Sequence, residues 1–195
     1  MLAIGLLIFF AYVIGSVPSG YILGKISGID VRSVGSGNIG ATNVARALGK
    51  GRGGLTLLAD AAKGYLPVFL ALRLEFDAAA LALIAVAAFL GHLYPLFLNF
   101  HGGKGVATAL GALLALAPTA TLVLIVVFVV AVLVSRIVSL GAIAAAMAAP
   151  VALWFFSQSL VFVAMGLFLG AMIILRHRGN IQRLLAGTEP RFGAR

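Results

Sequence analysis

The sequence has no cysteine, and its only acidic residues are the five at Asp30, Asp60, Glu75, Asp77 and Glu189. The first absence excludes disulfides, thiol nucleophiles and cysteine metal sites. The second argues against metal-dependent hydrolysis, which wants clustered carboxylates or several histidines. No carboxylate or second histidine stands at ligand spacing from His92, so the chain calls for no metal and no cofactor. Charge of either sign is scarce: 10% of residues are charged and 63% hydrophobic, where a soluble domain has about a quarter charged and half apolar. A water-soluble fold would leave that apolar surface uncovered.

What is present is a set of uncharged runs such as Leu2–Leu23 and Ala78–Leu90, and a helix needs roughly 20 apolar residues to cross the hydrocarbon layer. No basic residue precedes the first run, and it ends in Ser16, Pro18 and Ser19 rather than at a small-residue cleavage site, so it reads as a retained span. The formal charge of +9 would suggest nucleic acid in a soluble domain. In a membrane chain it follows from basic loops facing anionic headgroups, and no basic-aromatic RNA-binding pattern accompanies it. The sequence thus gives no nucleic-acid partner and no evident obligate protein partner.

Apolar segments fall near 2–24, 55–72, 78–99, 105–117, 118–134, 139–156 and 159–176. Residues 105–134 would form one helix about 45 Å long, against a core of ~30 Å, or two short spans turning at Pro118-Thr119. Charge decides for two. Lys25, Arg32, Arg46, Lys50, Arg52, Lys63, Lys104, Arg136, Arg176, Arg178, Arg183, Arg191 and Arg195 then share one side, and only Arg73, beside Glu75 and Asp77, lies opposite. The expected fold is an all-α membrane protein of seven transmembrane helices in a single domain, residues 1–195, with Met1 outside and the tail from 177 in the cytoplasm. No internal repeat is evident.

Three polar insertions differ from ordinary loops. Residues 34–46 put Gly35, Gly37 and Gly40 among Ser36, Asn38, Thr42 and Asn43 beside Arg46; glycines that admit positive φ, small hydrogen-bonding groups and a cation can wrap a phosphate. Thr42 or Asn43 is placed to cap a following helix. Residues 101–108 put Gly102, Gly103, Lys104 and Gly105 before an apolar run, and N–H groups at a helix start with a lysine make an anion site. The spacing is not that of a Walker A loop, because Val106 follows where a hydroxyl would bind magnesium. Residues 176–189 carry Ile181, Leu184 and Leu185 on one stripe, the mark of a short interfacial helix, with His177 and Asn180 three apart on one face.

Asp60 and Lys63, three apart inside a span, are expected to pair, because unpaired charge there is expensive. His92 reads as a hydrogen-bonded packing residue, and Trp154, Phe155 and Phe156 as an outer interfacial belt. By the expected topology Ser36, Asn38, Arg46, Lys104, His177 and Asn180 share one cytoplasmic face. Such a site favours a phosphate-bearing substrate whose reacting partner lives in the bilayer.

The runs GSGNIGATNVAR (35–46), GGKGVAT (102–108) and RHRGNIQRLLAGTE (176–189), in this order between hydrophobic spans, resemble the bacterial acyl-phosphate:glycerol-3-phosphate acyltransferases, the PlsY family. Asp60–Gly64 and Gly91–Pro95 look familial as well, while Ala142 stands where the family often has a serine three residues after the position of Ser139. The resemblance implies seven spans in the inner membrane, an active site facing the cytoplasm, and acyl phosphate and glycerol 3-phosphate as substrates. The reaction would be acyl transfer to the sn-1 hydroxyl, giving lysophosphatidic acid and phosphate, the first acylation of phospholipid synthesis. Arg46, Lys104, His177 and Asn180 would then hold phosphate groups. Ser36, Asn38, Thr42 and Asn43 would shape the first motif, with Gly102, Gly103 and Ser139 among the substrate contacts.

No aspartate follows His92, His101 or His177 after four intervening residues, where Phe97, Val106 and Gln182 stand, so no local His-Asp dyad offers a base. Two mechanisms stay open: a donor phosphate oxygen takes the proton, or His177 does. A rival of another class, an anion transporter with broken helices, predicts a site at mid-membrane and internal repeats.

Overall fold

The computed structural model describes residues 2–192; Met1 and Arg195, the two ends used above to orient the chain, lie outside the described residues. Among those described, all regular structure is helical. The chain divides into two compact units, Met1–Leu116 and Ala117–Arg195.

The first unit holds α1 (Leu2–Gly15), α2 (Ser19–Ile26), α3 (Ala41–Leu48), α4 (Lys50–Arg73), α5 (Ala78–Leu93), a 3-10 turn (Leu96–Leu98) and α6 (Val106–Leu116). The first apolar run, expected as one helix, is broken at Ser16–Pro18. Proline has no N–H to continue the ladder and pushes the residue before it out of the helical region. Asp77 caps α5 through a bond from the Ala80 amide at 2.8 Å.

Small residues set the closeness of the crossings. Where α1 meets α5, a methyl on Gly15 would overlap the Ala88 carbonyl and one on Gly91 the Tyr12 carbonyl. Where α4 meets α6, Gly64 lies against the Thr108 carbonyl and Gly111 against that of Ala61. Each crossing is thus reciprocal, with a glycine on each helix admitting the partner's backbone, as helices without a hydrophobic drive to associate require. Tyr12 adds a hydroxyl bond to the Tyr94 carbonyl at 2.6 Å.

The second unit holds α7 (Pro118–Ser135), α8 (Val138–Ser157), α9 (Leu160–Arg176) and α10 (Arg178–Leu185). α7 packs on α8 and α8 on α9, with Gly170 against the Ala146 carbonyl. α7 begins at Pro118, where a missing N–H costs nothing. Residues 105–134 are therefore two helices. α10, the short helix expected over residues 176–189, turns 61° from α9.

Helices occupy all seven apolar segments. Five stretches, Leu2–Ile26, Lys50–Arg73, Ala78–Leu98, Pro118–Ser135 and Val138–Ser157, are long and apolar enough to cross a membrane, and the bent α9–α10 pair makes a sixth candidate. α6, with 11 residues, reaches only about 16 Å at 1.5 Å per residue.

Candidate functional site

The first motif is folded by one side chain. Asn43, buried in α3, accepts from the Ser36 amide at 2.9 Å and donates through Nδ2 to the carbonyls of Val31 at 2.8 Å and Val34 at 3.0 Å. It thereby ties residues 31–36 onto the helix that follows them. Gly35 adopts φ +61°, and a side chain there would strike the Asn43 Oδ1 atom. Asn38 Oδ1 accepts from the Gly40 amide at 2.8 Å and sets the turn into α3. The capping expectation for Thr42 and Asn43 fails: both lie inside α3, whose N-cap is Gly40 without a side-chain bond. Val31, Ile39 and Val44 bury the underside of the motif together with Leu98. Ser36, Thr42 and Arg46 are left on the exposed side, the last two one turn apart on α3.

Beside this motif Asp30 holds Arg32 through Nε at 3.0 Å and Nη2 at 2.7 Å, and Lys25 at 3.4 Å. The hydrogen bonds from Arg32 keep the Asp30 carboxyl well below the usual carboxylate range. The one carboxylate thus offsets one of these two positive charges. Among the described residues no carboxylate lies within ion-pair reach of Arg46.

Shortly after Leu98, the second motif folds back on the end of α5. The Gly102 amide donates to the Leu93 carbonyl and the Gly103 amide to the His92 carbonyl, each at 3.1 Å. A Cβ at Gly103 would run into the His92 ring, and Gly105, at φ +81°, lies against Phe89 and Leu93. Only glycine admits this approach. Half-buried Lys104 follows directly before α6. The first amides of that helix have no carbonyl a turn earlier to bond, and its positive end adds to the lysine charge.

Behind the motif lies an arrangement only partly visible in the sequence. Lys63 Nζ lies 3.0 Å from Asp60 Oδ1, the expected pair, and donates to the Val17 carbonyl at the α1–α2 break at 2.8 Å. His92 Nδ1 lies 3.7 Å from the same Asp60 oxygen. Asp60, Lys63 and His92 are 2%, 6% and 4% exposed, so the charge is sealed from water.

In the second unit His177 sits at the bend between α9 and α10, buried, with Nδ1 2.8 Å from the Ile173 carbonyl. A carbonyl only accepts, so Nδ1 carries the proton and the lone pair of the neutral ring is on Nε2. The buried Asn180 and Ser139 both donate to Glu189 Oε1, at 2.5 Å and 2.7 Å, and Arg183 Nε donates to Oε2 at 2.7 Å. Burial alone would raise the Glu189 pKa; the bonds from Ser139, Asn180 and Arg183 outweigh it and lower it. Ser139 gives its single proton to Glu189, so toward a second partner it can only accept. Glu189 was not among the expected site residues. The signal for it was that it is the only acid in a basic motif.

Ser36, Asn38, Thr42, Asn43, Arg46, Gly102, Gly103 and Lys104 thus belong to the first unit. Ser139, His177 and Asn180 belong to the second, the first and last tied by Glu189. Among the described residues no three histidine or carboxylate groups gather as metal ligands.

Residues 5–187 match the glycerol-3-phosphate acyltransferase family. The glycerol-3-phosphate acyltransferase of Geobacter sulfurreducens is 47% identical over 184 residues, covering 94% of this chain and 95% of that one. The Aquifex aeolicus enzyme of the same name is 44% identical over 187 residues, covering 95% and 97%. Among solved structures, PlsY, described as an integral membrane glycerol 3-phosphate acyltransferase, superposes in its glycerol 3-phosphate form with a TM-score of 0.95 at 44% identity, over 98% of this chain and 96% of that one. Its lysophosphatidic acid form gives 0.92 at 42% identity, with the same coverage. An all-helical multi-pass architecture, three glycine- and cation-bearing motifs and agreement along nearly the whole length lead to one conclusion: the chain belongs to the PlsY family of integral-membrane glycerol-3-phosphate acyltransferases.

Proposed function

We propose that this chain transfers a fatty acyl group from acyl phosphate to the sn-1 hydroxyl of glycerol 3-phosphate, releasing lysophosphatidic acid and inorganic phosphate. The observation that carries the reading is the Gly102–Gly105 loop, folded onto α5 so that Lys104 stands at the positive end of α6. Both substrates carry phosphate and one carries an acyl tail, so a cationic site among lipid-facing helices suits the pair. The relatives named for glycerol 3-phosphate, one of them crystallised with that compound and with lysophosphatidic acid, support the acceptor and the product.

In this reading Arg46, Lys104, His177 and Asn180 hold phosphate oxygens. Ser36 and Asn38 border the acceptor, with Thr42 on the exposed face of α3; Asn43 keeps the loop folded. Gly102 and Gly103 bring backbone close to the ligand. Ser139 acts by holding Glu189, which orients Asn180. The acceptor oxygen bonds to the acyl carbon, the carbon–oxygen bond to phosphate breaks, and the hydroxyl proton passes to an oxygen of the departing phosphate. Acyl phosphate is an activated mixed anhydride, so positioning and charge stabilisation by Lys104 and Arg46 carry the barrier. No resident base is required. His177, with its lone pair on Nε2, is the competing base.

The one-sided distribution of lysine and arginine supports seven crossings, with the N-terminus outside, the C-terminus and the site on the cytoplasmic side of the inner membrane, and the whole chain acting as one acyltransferase domain. Purified protein given palmitoyl phosphate and glycerol 3-phosphate should form lysophosphatidic acid. Folded protein that makes none with donors of several chain lengths would refute the assignment.

A further inference from the structure

A lysine, an aspartate and a histidine buried between membrane helices cost free energy, and an ion pair there does not by itself make a fold more stable. The Asp60–Lys63–His92 cluster is nevertheless continuous with the second motif. The Lys63 ammonium is held by two groups, Asp60 Oδ1 at 3.0 Å and the Val17 carbonyl at 2.8 Å. Asp60 faces His92 Nδ1 at 3.7 Å from the other side. The opposite edge of that ring, at Nε2, is what a side chain on Gly103 would meet. The backbone of the same histidine accepts the Gly103 amide at 3.1 Å. One residue therefore supports the loop twice, with its carbonyl and with its ring, and Lys104 is the next residue.

We propose that His92 is a positioning residue for the Lys104 loop, its ring packed between the Asp60 carboxylate on one side and Gly103 on the other and its outer edge setting the height of Gly103. The Asp60–Lys63 pair anchors in turn on the break in the first span, so a line of buried packed contacts runs from Val17 through Lys63, Asp60 and His92 to Gly103. This explains why charge is retained inside a span, and why Gly103 must be glycine although its φ is unremarkable. The inference rests on the reading of Lys104 as a phosphate-holding residue. It assigns His92 no proton transfer, because its ring faces Asp60 and Gly103, both parts of the protein.

The test is a size-swap cycle between positions 92 and 103, read in two ways. With palmitoyl phosphate saturating, His92→Ala should raise KM for glycerol 3-phosphate about tenfold or more while kcat changes less than about threefold, since loss of support misplaces a binding group. Gly103→Ala alone should be worse, its methyl striking the ring. The double variant should recover part of that loss, because the methyl takes the space the ring leaves; this is coupling of rescuing sign. Independently of activity, hydrogen exchange at residues 102–105 should accelerate about tenfold or more in His92→Ala while α5 and α6 stay protected. Should His92→Ala not fold, His92→Gln, which keeps most of the bulk, is read by the same two measures. The proposal is overturned if KM stays within about twofold of wild type, if the two substitutions add without rescue, or if loop exchange is unchanged. A collapse of kcat at normal KM would make His92 a proton carrier and overturn it equally. If wild-type protein makes no lysophosphatidic acid, the acyltransferase reading fails and loop exchange alone decides the positioning role.

Discussion

Replacing Asn43 by aspartate changes one group from NH2 to oxygen and reverses two hydrogen bonds. The native amide donates to the Val31 and Val34 carbonyls at 2.8 and 3.0 Å and accepts from the Ser36 amide. Asn43→Ala removes all three, each worth about 0.5–1.5 kcal/mol net. Val34 and Ser36 are exposed, so water can replace two of them, and the loss should be about 2 kcal/mol. Asn43→Asp keeps the Ser36 bond but sets an anion, buried at 2% exposure, against two carbonyl oxygens. An uncompensated buried charge costs about 3–5 kcal/mol. The near-isosteric change should therefore be the more damaging one. At about 2–4 °C per kcal/mol for a chain of this size, thermal unfolding in detergent should drop about 5 °C for alanine and about 10 °C for aspartate. The aspartate defect should ease at low pH, where the protonated acid regains one donor. Aspartate proving milder than alanine at neutral pH would refute the assignment of donors and acceptors in this clamp.

Other outcomes follow from the same geometry. Gly111→Leu should separate α4 from α6, because its Cβ meets the Ala61 carbonyl; the expected result is loss of folded protein on size exclusion, and normal elution with normal activity would contradict it. Lys104→Gln should raise KM for glycerol 3-phosphate more than Lys104→Arg in steady-state assays, since only the second keeps the charge. The Glu189 carboxyl is held below its ordinary value, so its three bonds stabilise the tail above that value and are lost as pH falls through the lowered one. Protection factors across residues 186–192, with the intrinsic pH dependence of exchange divided out, should fall in wild type as pH drops below the ordinary glutamate range and should be low at every pH in Glu189→Gln. His177→Gln should retain measurable turnover and the basic limb of the pH–rate profile if the donor phosphate takes the proton; abolished turnover with normal binding would make His177 the base.

Local pattern carried far in this chain, and it ended where contacts became non-local. Long uncharged runs have few structural options, so each of the seven apolar segments is helical, and Pro118 starts α7 as a first-turn proline does. Asp60 and Lys63, three apart, declared their pairing. The break at Ser16–Pro18 was also written there in Pro18, although the apolar run around it reads as continuous. His92 gave no such sign: its neighbour Asp60 lies 32 positions earlier, and only the α4–α5 packing brings them together. The absence of a His-Asp pair held for short spacing and said nothing about folded proximity. Asn43 was legible as a polar residue in a glycine-rich motif, but its partners are backbone groups seven to twelve residues back. No sequence pattern encodes that reach. Glu189 was passed over for the same reason, since Ser139 lies 50 residues before it.

The central claim is acyl transfer from acyl phosphate to the sn-1 oxygen, and phosphorus NMR of one reaction mixture tests it most directly. With palmitoyl phosphate and glycerol 3-phosphate over the purified protein in bilayers, the account predicts donor loss matched mole for mole by 1-acyl lysophosphatidic acid and by inorganic phosphate. Phosphate released without lysophosphatidic acid, or the 2-acyl isomer as the first product, would contradict it.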